Sequence, residues 1–188
     1  MKALIISDLE CRTERFERLL QIVKQFLEEK NYEVECSELD RNDLAFCKGC
    51  FGCWIKKPGE CVIDDKMTYL NKASINSDVT IFLSPVIFGQ FSANIKNVRD
   101  RWIPNILPFF EKRPDGSTIH PARYLTYPKQ IIIGYGSELS EDDIKLFKAI
   151  TKNHLRNIEV LVDHGFGSDS TIIDALARIE LMKVGAAL

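Results

Sequence analysis

Two stretches, Val79–Leu83 and Gln130–Ile133, constrain the fold of this chain more than any other feature. Each is an apolar, β-branched run without a solvent-facing alternation, and such strands occur where a sheet is covered on both faces. The segments around them complete a pattern. Lys2–Ser7 reads as a first strand. Phe16, Leu19, Leu20, Val23, Phe26 and Leu27 recur at helical spacing with charges between them, and Asn31 closes that helix. Tyr32, Val34 and Cys36 alternate with Glu33 and Glu35 as in an edge strand. Asp64 is placed to cap a helix over about 65–75, and Ser92–Arg101 forms the next, closed by Pro104. Ser140 and Asp143 make a capping box for a helix over about 141–156. Ile158, Val160 and Val162 mark a last strand, and Asp169 or Ser170 opens a helix running to about 183. Alternation repeated five times predicts a doubly wound α/β fold: a five-stranded parallel sheet with helices on both faces and right-handed crossovers. Ligands in such sheets bind beyond the carboxyl ends of the strands, at the switch in strand order.

Composition removes several function classes. At 188 residues with a formal net charge of −2 and no basic stripe, the chain offers no footprint for nucleic acid or an anionic membrane. Its apolar runs are too short to span a bilayer, and its first residues lack the features of a secretory leader. A cytoplasmic protein is expected, built as one domain over 1–188, with a cysteine-rich loop at 46–62 and an excursion at 104–128 rich in proline, aromatics and charge.

Three loops lie where a ligand is expected. Ser7–Thr13 feeds directly into a helix whose amides and dipole suit a phosphate; equally, Thr13 can serve as an ordinary N-cap. The loop Ser84-Pro85-Val86-Ile87-Phe88-Gly89 ends a buried strand with a hydroxyl, a turn-fixing proline, an aromatic and a glycine, a rim suited to a planar apolar ring. Gly134-Tyr135-Gly136 permits close backbone approach, with Tyr135 available to flank a ring.

Of the six cysteines, Cys47, Cys50, Cys53 and Cys61 are spaced C-x2-C-x2-C-x7-C. Thiolates two residues apart on a loop with Gly49 and Gly52 can converge on one cluster, with a fourth from beyond Pro58-Gly59. Zinc takes four cysteines as well, though more often as two separated pairs, and buried thiols need no ligand at all. The histidines are scattered; His120, in the excursion, has no base or nucleophile near it in sequence. No nucleophile–base triad and no nucleotide-binding glycine motif is present.

Three features occur in order: the Ser7–Thr13 loop, the Cys47–Cys61 segment followed by Val62-Ile63-Asp64-Asp65-Lys66-Met67, and Ser84–Gly89 leading to Lys96 and Asp100-Arg101. Through them the chain resembles the NADPH-dependent FMN reductase group of flavodoxin-like proteins, and within it the iron–sulfur flavoproteins. The resemblance implies FMN, its phosphate at Ser7 and Thr13 and its isoalloxazine against the Ser84–Gly89 rim, with Tyr135 and Gly136 opposite. It also implies a homodimer or homotetramer, and a 4Fe–4S cluster on the four cysteines. Two features depart from the group. The first loop lacks the usual Gly-, Pro- and Ser-rich character, which assigns part of the phosphate to backbone amides and Arg12. The gap before Cys61 is long and contains Trp54.

The function implied is an oxidoreductase in which FMN passes electrons from NAD(P)H to a flavin, quinone or other small acceptor, with no side-chain acid or base. The alternative is a relay between ferredoxin-like partners through FMN and the cluster. A sensor using the cysteine loop alone predicts no flavin.

Overall fold

The computed structural model describes residues 1–154, 158–164 and 169–185. Five parallel strands form the central sheet: β1 (Lys2–Asp8), β2 (Glu33–Leu39), β3 (Val79–Pro85), β4 (Lys129–Tyr135) and β5 (Ile158–Asp163). Their order is β2-β1-β3-β4-β5. This is the flavodoxin-like arrangement, in which the switch point falls between β1 and β3.

Alternation along each strand divides the core into two layers. Ala3, Ile5, Ile81, Leu83, Ile131 and Ile133 face one side and pack against α1 (Glu14–Glu29). Leu4, Ile6, Phe82 and Ile132 face the other and pack against α2 (Lys66–Asn76), α3 (Ala93–Asp100) and α4 (Glu141–His154). α5 (Asp169–Ala177) completes the first layer with Ile172 and Leu176. The middle strands β1, β3 and β4 have almost no exposed residues, as the unbroken apolar runs require.

Helix ends follow local chemistry. Thr13 caps α1 by accepting the Phe16 N–H, and Asn31 ends it at a φ of 62°, with Tyr32 N–H returning to Leu27 O. Ser140 and Asp143 form the expected box at α4, exchanging bonds between side chains and backbone. α2 is capped by Asp65 rather than Asp64, one residue later than its spacing predicts, because Asp65 accepts the Met67 N–H. Positions 155–156 of the expected fourth-helix span lie outside the described residues.

The C-terminal helix stops at Ala177, not near 183. Beyond it, Leu181 O accepts the Tyr32 hydroxyl, and Val184–Gly185 pair antiparallel with Thr126–Tyr127. These partners lie far away in sequence, so helical periodicity could not reveal them. The 104–128 excursion contributes a further hairpin, Glu111–Lys112 with Thr118–Ile119. Among the described residues, no helix is long and apolar enough to cross a membrane.

Candidate functional site

The carboxyl ends of β1, β3 and β4 stand level, with Ser7 paired to Leu83, Ser84 to Gly134 and Pro85 to Tyr135. After β1, buried Asp8 accepts from the Glu10 N–H and from Asn94 Nδ2 at 2.9 Å, which ties the first loop to the start of α3. Ser7 is buried beside it. Thr13 accepts one N–H in the α1 cap and keeps its hydroxyl proton to donate. Arg12 is held by Glu38 at 2.7 Å and Glu17 at 2.9 Å, and Arg41 by Glu10. The first loop is thus collared by ion pairs that an incoming phosphate would have to displace at Arg12.

The rim after β3 is more distinctive. Val86 N–H donates to Tyr135 O, and Ile87 and Gln90 exchange backbone bonds at 2.9 Å across Phe88 and Gly89. Both turn residues have positive φ, 48° and 70°, which defines a type I′ turn. The Phe88 ring is left 90 % exposed, and a positive φ at an aromatic costs about 1 kcal/mol. Among the described residues, neither the Phe88 nor the Gly89 N–H has a protein acceptor. Below the turn, Ser84 Oγ accepts the Ser92 N–H at 3.1 Å, while the buried Ser92 Oγ has no partner among the described residues. An exposed apolar tip with free amides and an orphaned hydroxyl fits a planar ring with a polar edge.

The third loop differs from its expected form. Tyr135 is turned inward: it lies on the α1 face with Ile131 and Ile133, 5.8 Å from the Phe16 ring, and its hydroxyl donates to Cys11 O. Burial pushes that phenol well above its ordinary pKa. Strand alternation dictates this, so only the backbone of Tyr135 faces the rim. The Gly136 N–H is spent on Asp163 O. Gly134 and Gly136 have no positive φ; they make room for Phe147 and Leu139, 2.6 Å from where a Cβ would stand.

The cysteine loop packs against the C-terminal end of α3 and the excursion that follows it. A one-turn helix, Gly52–Ile55, is entered through Phe51 at a φ of 53°. Cys50 Sγ lies over Gly52, 3.5 Å from its potential Cβ, and Val62 closes the same spot. Cys47 and Cys50 are exposed; Cys53 and Cys61 are half-buried. Among the described residues, no three ligating side chains converge as a single metal ion requires. Burial pushes the Cys53 thiol up, outweighing a local backbone hydrogen bond that pulls it down. Four cysteine thiols on one loop are the donor set that a four-iron cluster takes.

Sequence reasoning missed what supports this loop. Trp54 Nε1 donates to Ile106 O at 2.9 Å and Ile103 O at 3.2 Å, and its ring stacks on Phe51 and meets His120 at a tilt. The excursion therefore packs on Trp54 and accommodates its bulk. On the inner side, fully buried Arg101 binds Asp65 and approaches Cys61 Sγ at 3.2 Å. Pairs of residues such as these, separated by 36 or more positions, leave no local signal.

A doubly wound sheet with a polar first loop and an apolar rim at its switch point defines the architecture of the flavodoxin-like reductases. The chain belongs to the NADPH-dependent FMN reductase family, whose model matches residues 1–113. It is 32% identical over 104 residues to an iron–sulfur flavoprotein of Archaeoglobus fulgidus, covering 55% of this chain and 46% of that one. A second iron–sulfur flavoprotein, from Methanosarcina thermophila, is 27% identical over 101 residues, covering 54% and 52%. The chain thus spans about half the length of the curated relatives it matches. Among solved structures, an NAD(P)H:quinone oxidoreductase from Methanothermobacter marburgensis superposes with a TM-score of 0.66 at 16% identity, over 95% of this chain and 94% of that one. A quinone reductase from Klebsiella pneumoniae gives 0.66 at 15%, over 94% and 82%. At such identities these two establish the fold.

Proposed function

We propose that the protein is an FMN-dependent NAD(P)H oxidoreductase acting on a flavin, quinone or similar small acceptor. The observation that carries this is the strained, exposed Phe88–Gly89 turn at the switch point. Bound FMN would supply hydride acceptance and onward electron transfer. The chain's own part is to hold the ring. Pro85 and Val86 fix the rim, Ile87 and Phe88 offer apolar contact, and the free amides of Phe88 and Gly89 bind the ring's polar edge. There they also stabilise negative charge gained on reduction. Ser7, Thr13 and the amides of the first loop would take the phosphate, with Arg12 exchanging a carboxylate for it. Ser84 supports the rim from beneath, and the backbone at Tyr135 and Gly136 forms the far wall. The reading includes one domain over 1–188, with the cysteine loop and the excursion as its elaborations, and a cytoplasmic location.

The test is anaerobic addition of FMN to the full chain, followed by NADPH or NADH and a quinone. Tight FMN binding with acceptor-dependent oxidation of the nicotinamide supports the proposal; no flavin uptake overturns it.

The four clustered thiols, together with the names of the curated relatives, favour a second reading. In it Cys47, Cys50, Cys53 and Cys61 hold a 4Fe–4S cluster, and the protein relays electrons to or from a ferredoxin-like partner. Iron and acid-labile sulfide assayed on anaerobically purified protein separate the two readings: about four irons per chain, matched to four thiolates, supports the relay.

A further inference from the structure

Helix α3 begins immediately after the flavin rim, and two buried side chains on its inner side and at its end grip the cysteine loop. Asn97 Nδ2 donates to Leu44 O and Ala45 O, both at 3.2 Å. Arg101, 2 % exposed, does more. Its Nη1 donates to Ala45 O at 3.0 Å and to the Asp65 carboxylate; its Nη2 approaches Cys61 Sγ at 3.2 Å and Ile63 O at 3.4 Å. Among the described residues, its buried Nε–H has no acceptor. These contacts lie on both sides of the cysteine segment: Ala45 just precedes Cys47, while Cys61, Ile63 and Asp65 close it. One guanidinium therefore fastens the two ends of the loop together.

A purely structural clamp need not be charged. Removing a guanidinium from water is costly, and an apolar filler of equal size often serves stability as well or better. Here the charge is spent beside a cysteine sulfur, with a further N–H left unpaired.

We propose that Arg101 is a positioning residue for the centre formed by Cys47, Cys50, Cys53 and Cys61, and that its charge favours the reduced state of that centre. The proposal rests on the cluster reading above. The physical basis is direct. Each electron added to a thiolate-bound cluster adds negative charge, and hydrogen bonds to its sulfurs together with fixed cations nearby stabilise that charge. Asp65 anchors the guanidinium and partly offsets its field, so the two residues act on the potential with opposite sign. Lysine can supply the charge but lacks the planar fork that reaches four acceptors at once.

The experiment uses the full chain, reconstituted anaerobically with iron and sulfide. Iron and sulfide contents and EPR-monitored redox titrations are compared for wild type, Arg101→Gln, Arg101→Lys and Asp65→Asn. Arg101→Gln is expected to bind less iron, and its loaded fraction to have a lower midpoint potential. Arg101→Lys should bring the potential back toward wild type while occupancy stays reduced. Asp65→Asn should raise the potential, which gives a readout of opposite sign if Arg101→Gln does not fold. Wild-type potentials in the loaded Arg101→Gln and Asp65→Asn proteins would reduce Arg101 to a structural clamp and overturn the proposal. If the wild type takes up no iron, the cluster reading itself fails, and this inference fails with it.

Discussion

At the scale of single residues, the site depends on a few positions where backbone or charge leaves little choice. Gly89 has a φ of 70°, and a Cβ there would lie 2.6 Å from the Leu146 side chain. Gly89→Ala should cost about 1–2 kcal/mol for the left-handed backbone alone, shift the turn and weaken FMN binding. A fluorescence titration with FMN and a urea melt check this, and unchanged affinity would remove the turn from the flavin site. Asp65 makes a pH prediction. Burial works to raise its pKa, but the Arg101 guanidinium and the Ala45 and Met67 amides outweigh it and hold the carboxyl below its usual range. A depressed carboxylate contributes stability that is fully present above its unfolded pKa of about 4 and is lost as pH falls through the lower folded value. Asp65→Asn should therefore destabilise the protein by roughly 3 kcal/mol near neutrality, by leaving the buried Arg101 charge without its counter-ion. The gap to wild type should narrow below about pH 4; urea midpoints at pH 6 and pH 3 measure it. The glycine and the cysteines of these sites are visible in the sequence, because residue type alone announces them. The Arg101–Asp65 pair is not, since nothing local couples positions 36 apart, and neither is the inward turn of Tyr135, which depends on which face its strand presents to α1.

At the scale of elements, the sequence foretold what is local. The apolar positions of α1 are buried or packed against the core, the α4 box forms, and β1, β3 and β4 extend the expected runs by one to three residues. It failed where a distant partner decides. α5 ends early because its downstream chain pairs with Thr126–Tyr127, and the excursion folds onto the cysteine loop through Trp54. The second case yields a test. Trp54→Ala removes two hydrogen bonds and the ring that links Phe51 to His120, so the loop should loosen while the sheet persists. Alkylation of Cys53, now half-buried, should accelerate several-fold with the far-UV dichroism unchanged; an unaltered rate would mean that the excursion does not shield the loop.

At the scale of the whole molecule, the distribution of exposed apolar side chains bears on assembly. Phe51, Trp54, His120 and Phe110 form a row of rings with neighbouring centroids 4.7–5.3 Å apart, and its outer members remain open: Phe51 is 50 % and Phe110 is 72 % exposed, with Phe109 beside it at 64 %. Leu125, in the same excursion, is 90 % exposed. Aromatic surface of this kind is enriched at the centres of protein interfaces, whereas scattered single apolar residues need no explanation. The row runs from the cysteine loop onto the excursion, so a second copy docked there would shield that loop as well as bury the rings. A homodimer or homotetramer is therefore expected, held through the excursion. Sedimentation velocity on wild type should show a species at least twice the 21.5 kDa of one chain. Phe109→Asp combined with Phe110→Asp, both exposed and outside the two core layers, should leave the fold intact and move the protein to monomer, with faster alkylation of Cys47 and Cys50 in the same sample. A double variant that stays oligomeric would assign the interface to another face, and an exposed Phe88 at the flavin rim would then be the next surface to substitute.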